Sequence, residues 1–153
     1  MSARTDQHSY TSKEAAALTG LPASTLRYYE SIGVISPISR GASSKHRVYD
    51  EDDLDQLMSV ACLAATGMSV SDMRQYVANG QLGPGAAGEQ IELLVEQGQR
   101  LALEAEHLAL RRRYVRLKID YWQAVQAGDD ARTGLLSSEA RALADQLRDA
   151  RKP

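Results

Sequence analysis

One cysteine, one tryptophan and no phenylalanine occur in 153 residues. The lone thiol, Cys62, excludes an internal disulfide and any metal site built from several thiolates of one chain. The three histidines, His8, His46 and His107, are too scattered to suggest a metal-ligand cluster. No apolar run nears the about eighteen residues of a membrane span, and Met1 to Tyr10 holds no apolar stretch of a secretory signal. An excess of one charge is missing too. Against 18 Lys and Arg stand 20 Asp and Glu, a net charge of −2, which excludes coating nucleic acid by bulk positive charge. Catalytic signatures are also lacking: there is no nucleophile–base motif, Gly-rich phosphate loop or carboxylate pair in a recognisable setting. The chain is expected to be soluble, cytoplasmic, without membrane or cofactor, and not an enzyme.

What is present is well punctuated. Thr11 and Glu14 form a capping-box pattern that opens a helix ending at Gly20. Pro22 marks the start of a second helix and Gly33 its end, giving a helical corner of helix-turn-helix proportions around Gly20-Leu21. From Val34 to Tyr49 two short extended pieces flank a flexible tip at Gly41-Ala42-Ser43-Ser44, the pattern of a small β-hairpin. Acids at 50–53 then open a third helix with an apolar stripe of Leu54, Leu57, Met58, Ala61 and Ala65. Ser69 and Asp72 cap a fourth. Two breaks follow, one around Gly80 to Gly85 and one at Gly128-Asp129-Asp130.

Between these breaks runs a heptad. Positions 91, 94, 98, 101, 105, 108, 112, 115, 119 and 122 alternate in threes and fours, and eight of the ten are apolar. A single helix over 89–127 would be on the order of 60 Å long. A small domain cannot cover such a seam, so a second copy of the chain is the expected partner. The alternative is a seam folded back on its own domain. After it, Leu136, Ala140, Leu143 and Leu147 keep helical spacing, which suits either a short docked helix or a frayed tail.

Charge is uneven where the total is balanced. Between Pro22 and Tyr49 the cations Arg27, Arg40, Lys45 and Arg47 face one acid, Glu30. This polarisation fits a face offered to phosphates, with Tyr28, Tyr29 and Tyr49 hydroxyls beside it; it also fits an ordinary solvated loop. Arg111-Arg112-Arg113 suits either an anionic ligand or a solvated collar paired with Glu104 and Glu106, and His107 is expected to face water.

At these residues a family becomes recognisable. Thr25-Leu26-Arg27-Tyr28-Tyr29-Glu30 with Gly33, Arg47-Val48-Tyr49 with Asp53-Leu54, and Gly67-Met68-Ser69 resemble the N-terminal domain of MerR-type bacterial transcription regulators. The departures are Pro22, where the family has Ser or Thr, His46, where it has an aromatic, and a slightly extended wing. The resemblance implies an all-α fold with a small β-wing: a winged helix-turn-helix domain over 10–80, after an N-terminal arm at 1–9. A linker at 81–88, an antiparallel dimerisation coiled coil at 89–127 and a tail at 128–153 complete the expected order. It further implies a homodimer on a pseudo-palindromic promoter operator. Such a dimer acts on RNA polymerase indirectly, by distorting a promoter whose spacer is too long when an effector is bound. Ser24, Thr25 and Arg27 would face base edges or nearby phosphates, and Tyr28, Arg40, Lys45, Arg47 and Tyr49 would grip phosphates.

The effector is narrowed by what is missing. The family's metal and redox sensors use cysteine pairs or clusters, and its multidrug sensors append a large domain; about 26 residues follow Ala127 here. The remaining resemblance is to the small aldehyde- and electrophile-responsive branch, carried by Cys62 and by Leu117-Lys118-Ile119-Asp120-Tyr121-Trp122. A thiolate adds to soft electrophiles, but a free cysteine is also a common core filler. A reversible apolar ligand held by Met68, Tyr114, Tyr121 and Trp122 is the competing reading, and plain core packing of those residues is another. An effector-independent DNA-bending protein, excisionase-like, shares the winged domain, but the coiled coil counts against it.

Overall fold

The computed structural model describes residues 8–151, so most of the arm expected at 1–9 and the last two residues of the tail lie outside the described residues. Among the described residues six α-helices follow in order: α1 Ser12–Thr19, α2 Ala23–Ser31, α3 Glu51–Ala65, α4 Val70–Leu82, α5 Ala87–Ala127 and α6 Asp130–Ala150, with a 3-10 turn at Gly83–Ala86 between α4 and α5. The chain forms two compact units, one up to Val95 and one from Glu96. None of the described helices is long and apolar enough to cross a membrane.

In the first unit, local chemistry sets each helix end. The Thr11 hydroxyl accepts from the Glu14 N–H and the Glu14 carboxylate accepts from the Thr11 N–H, satisfying two otherwise orphaned donors. Gly20 ends α1 in the left-handed region, φ 74°, which a side chain would resist. Asp50 and Asp53 cap α3 reciprocally in the same way, at 2.8 and 3.0 Å. The four helices share one core. Leu26 and Tyr29 of α2 meet Ala15 of α1, Leu54, Leu57 and Val60 of α3, and Met73 of α4, with Val34, Ile35 and Ile38 filling in from the loop. Each fully buried leucine contributes about 1.5–3 kcal/mol.

The expected β-wing does not form strands. Residues 34–49 carry only one isolated antiparallel bridge within the loop, Arg40 to Arg47, and one to the chain before α1, Tyr10 to Tyr49. A two-stranded hairpin is marginal alone, and Pro37 withholds a ladder donor. The loop is instead held point by point: the Gly41 N–H donates to the His46 carbonyl at 2.9 Å and the Val48 N–H to that of Ser39 at 2.8 Å. At the tip Lys45 takes a positive φ of 56°.

Burial raises the Asp53 carboxyl above the ordinary carboxylate value, with the neighbouring Asp50 charge adding to it and the Asp50 N–H opposing. A raised folded-state value means that this group's contribution to stability is full below the unfolded value and is lost as pH rises through the folded one. Urea midpoints measured from about pH 3 to 6 are expected to show that loss in the wild type and a flatter profile in Asp53→Asn. Parallel profiles would remove Asp53 as its source.

In the second unit, α5 and α6 form a helical hairpin. Gly128 turns the chain at φ 71° and the Asp129 side chain accepts from the Arg132 N–H to start α6. Leu136, Leu143 and Leu147 of α6 pack on Leu110, Tyr114, Leu117, Tyr121 and Ala124 of α5. The tail is thus a 21-residue helix, longer than the short one expected from its leucine spacing.

Candidate nucleic-acid interface

Helix α2 is two-faced. Leu26 and Tyr29 anchor it in the core, while Ser24, Arg27 and Tyr28 project outward and Thr25 is half-buried. The α1 start and the loop tip lie beside it, so that Thr11, Ser12, Lys13, Arg27, Arg40, His46 and Arg47 line one cleft of about 400 Å³. Four of these, Ser12, Lys13, Thr11 and His46, were not among the site residues expected from sequence. The signal for the first two was the capping box itself, because the first-turn N–H groups of a capped helix form an anion-attracting end.

Arg47 is not a free cation in this surface. Its Nε donates to Glu30 Oε2 at 2.7 Å, with the two side chains only 21% and 17% exposed. Glu30 Oε1 accepts from the Ile38 N–H at 3.4 Å, so one carboxylate ties α2 to both limbs of the loop. Arg40 closes the tip by donating from Nη1 to the Lys45 carbonyl at 3.2 Å, leaving Lys45 itself in solvent. Tyr49 departs from expectation. It is fully buried, and its hydroxyl meets no hydrogen-bond partner among the described residues, so it belongs to the core and not to a phosphate-gripping surface. Tyr10, paired with it through the backbone, donates its hydroxyl to Glu51 at 2.7 Å, and this bond raises its pKa.

The expected effector residues divide between the two units. Cys62 is an exposed thiol on α3, not the core filler that free cysteines usually are. Met68, in the α3–α4 turn, is buried in the core of the first unit and lines no open pocket there. In the second unit Tyr114 and Tyr121 are half-covered, and Trp122 is 64% exposed and edge-on to Tyr121 at 5.2 Å. Lys118 Nζ stands 5.6 and 5.7 Å from the Tyr114 and Tyr121 ring centres. Tyr114, Lys118 and Trp122, with Val115 and Ile119, border an open apolar hollow of about 780 Å³.

Arg111, Arg112 and Arg113 are exposed and make no ion pair with Glu104 or Glu106 among the described residues. Pairs on α5 include Arg100–Glu96 at 3.8 Å and Arg116–Asp120 at 3.4 Å. His107 is half-buried, not fully in water. The heptad positions Ile91, Leu94, Leu101, Leu108, Val115, Ile119 and Trp122 are all exposed in the single chain, while α6 covers a different face of α5.

Residues 10–80 match the family model described as MerR HTH family regulatory protein. An uncharacterized HTH-type transcriptional regulator of Bacillus subtilis, YyaN, is 30% identical over 112 residues, 65% of this chain and 80% of that protein. The HTH-type transcriptional regulator AdhR of the same organism is 33% identical over 88 residues, 58% of this chain and 62% of its own. The crystal structure of HiNmlR, a MerR family regulator lacking the sensor domain and bound to promoter DNA, shares the fold with a TM-score of 0.65 at 22% identity, covering 95% of this chain and 98% of that one.

Proposed function

The chain belongs to the MerR family of helix-turn-helix transcription regulators, and from that premise we propose that it works as a homodimer on a pseudo-palindromic promoter operator in the cytoplasm. In this reading it distorts an over-long promoter spacer when an effector is bound, so that RNA polymerase can engage both promoter elements. The observation that carries the reading is the single cleft that gathers Lys13, Arg27, Arg40 and Arg47 beside the outward face of α2. Phosphate contacts from these cations fix position, and Ser24, Thr25 and Arg27 read nearby bases. Exposed Tyr28 and Lys45 extend the grip along the backbone. That HiNmlR is bound to promoter DNA supports the same use of this fold.

Dimerisation is supported by α5. Its exposed apolar seam needs cover, and its charge is split end to end. Five acids, Glu89, Glu92, Glu96, Glu104 and Glu106, stand against Arg100 in the first part, and five cations, Arg111, Arg112, Arg113, Arg116 and Lys118, against Asp120 in the second. An antiparallel partner sets each acidic half against a basic half, whereas a parallel one sets like against like.

For the effector, the exposed thiol of Cys62 supports a small aldehyde or other electrophile. Addition forms a sulfur–carbon bond and leaves the proton on the former carbonyl oxygen. The hollow around Trp122 supports the second reading, a reversible apolar ligand. In vitro transcription from the promoter adjoining the gene separates them. With a small aldehyde, activation is expected in the wild type and not in Cys62→Ser. An equal response in both proteins overturns the thiol reading and directs attention to Trp122.

A further inference from the structure

The corner between α4 and α5 carries three glycines, Gly80, Gly83 and Gly85, which restrict the backbone little on their own, and Gly83 sits at φ 78°. Side-chain amides span it instead. Asn79, only 3% exposed, accepts from Gln75 Nε2 at 2.7 Å and donates from Nδ2 to Gln90 Oε1 at 3.2 Å. Gln90, one turn into α5, donates from its own Nε2 to the Tyr76 carbonyl at 2.9 Å. Three side-chain amides and one helix carbonyl thus form a closed chain across the corner, and each link is one whose loss strands a sheltered polar group.

We infer that the Asn79–Gln90 clasp is a positioning device that fixes the direction in which α5 leaves the DNA-binding domain, and through it the half-site spacing that the dimer accepts. The inference rests on the dimeric DNA-binding reading above. In a dimer joined through α5, each recognition helix is aimed by this corner. A shift of one base pair moves a half-site by about 3.4 Å along the duplex and turns it by roughly one-tenth of a turn. A stiff corner rejects such a shift; a slack one tolerates it. Gln90 and Asn79 touch no DNA in this scheme and act only through the placement of α2.

The test uses the full-length chain and duplexes built from the palindrome that the wild type selects out of random-sequence DNA. The centre-to-centre spacing is then varied by one and two base pairs either way. The wild type is expected to prefer its own spacing by about tenfold or more, as deformation of the wrong duplex is costly. In Gln90→Met, which keeps the volume and loses both bonds, that preference is expected to fall to about threefold or less, with affinity at the best spacing reduced far less. Gln75→Met, which leaves the Asn79–Gln90 bond, should keep most of the preference. Thermal melting of each variant identifies simple unfolding, which lowers affinity at every spacing by the same factor. An unchanged preference in a folded Gln90→Met protein, or a uniform loss at all spacings, overturns the inference. A wild type that selects no palindrome overturns the dimeric DNA-binding reading itself, and the clasp's role with it.

Discussion

Replacing Leu101 and Leu108 with aspartate is expected to turn the protein into a monomer that no longer holds a two-half-site operator. Both leucines sit on the α5 seam and are 39% and 51% exposed in the single chain, so neither supports the fold of one protomer. In an antiparallel pair they would lie near its middle, where water is excluded from both sides, and a carboxylate there is stranded without a partner. Sedimentation should report half the wild-type mass. Affinity for the intact operator should drop by about 10²–10⁴-fold, the usual gain from joining two weak sites, while binding to an isolated half-site stays near its wild-type level. The α5–α6 hairpin keeps its own core of Leu117, Leu136 and Leu143, so most helical signal should survive. The stretch of α5 before that core has less intrachain cover and should fray in the monomer. A variant that stays dimeric would place the interface elsewhere and make the seam an ordinary exposed stripe.

How far such features were legible depended on whether their cause was local. The caps of α1 and α4 were readable because Thr11 with Glu14, and Ser69 with Asp72, satisfy donors three residues away. The apolar stripe of α5 was readable because a period persists over many turns, and its residues are exposed in the single chain. The loop at 34–49 was misread as a hairpin because short β-like pieces carry no information about whether a third strand supports them. Tyr49 was misread for a related reason: a tyrosine has an apolar body and a polar tip, and only the fold decides which governs. Glu30 and Arg47, seventeen residues apart, were read as an acid among cations, whereas the ion pair that joins them emerges only when α2 and the loop close on each other. The amide clasp was invisible, since asparagine and glutamine in a glycine-rich corner look like solvated linker. The full length of α6 was hidden as well, because its stability comes from the face of α5 it covers and not from its own propensity.

The Glu30–Arg47 pair yields the second large effect. Arg47→Ala removes a cation from the cleft and releases the Glu30 carboxylate into the surface proposed to meet phosphates. Binding should therefore weaken on operator and unrelated DNA alike. The dependence of log affinity on log salt should also flatten by about two per dimer, one for each lost phosphate contact. Part of the loss is repulsion and not a missing contact, so Glu30→Gln in the Arg47→Ala background should recover a share of the affinity without restoring the salt slope. Glu30→Gln alone should act the other way. Arg47, no longer neutralised, gains on any DNA, but the loop loses its carboxylate tie to α2 and the ratio of operator to unrelated affinity falls. Anisotropy titrations from about 50 to 200 mM salt on both duplexes read all three variants. If Arg47→Ala lowered only operator affinity and left unrelated DNA bound as before, its role would be reading sequence, and the pair with Glu30 would serve to aim a base contact instead of a phosphate one.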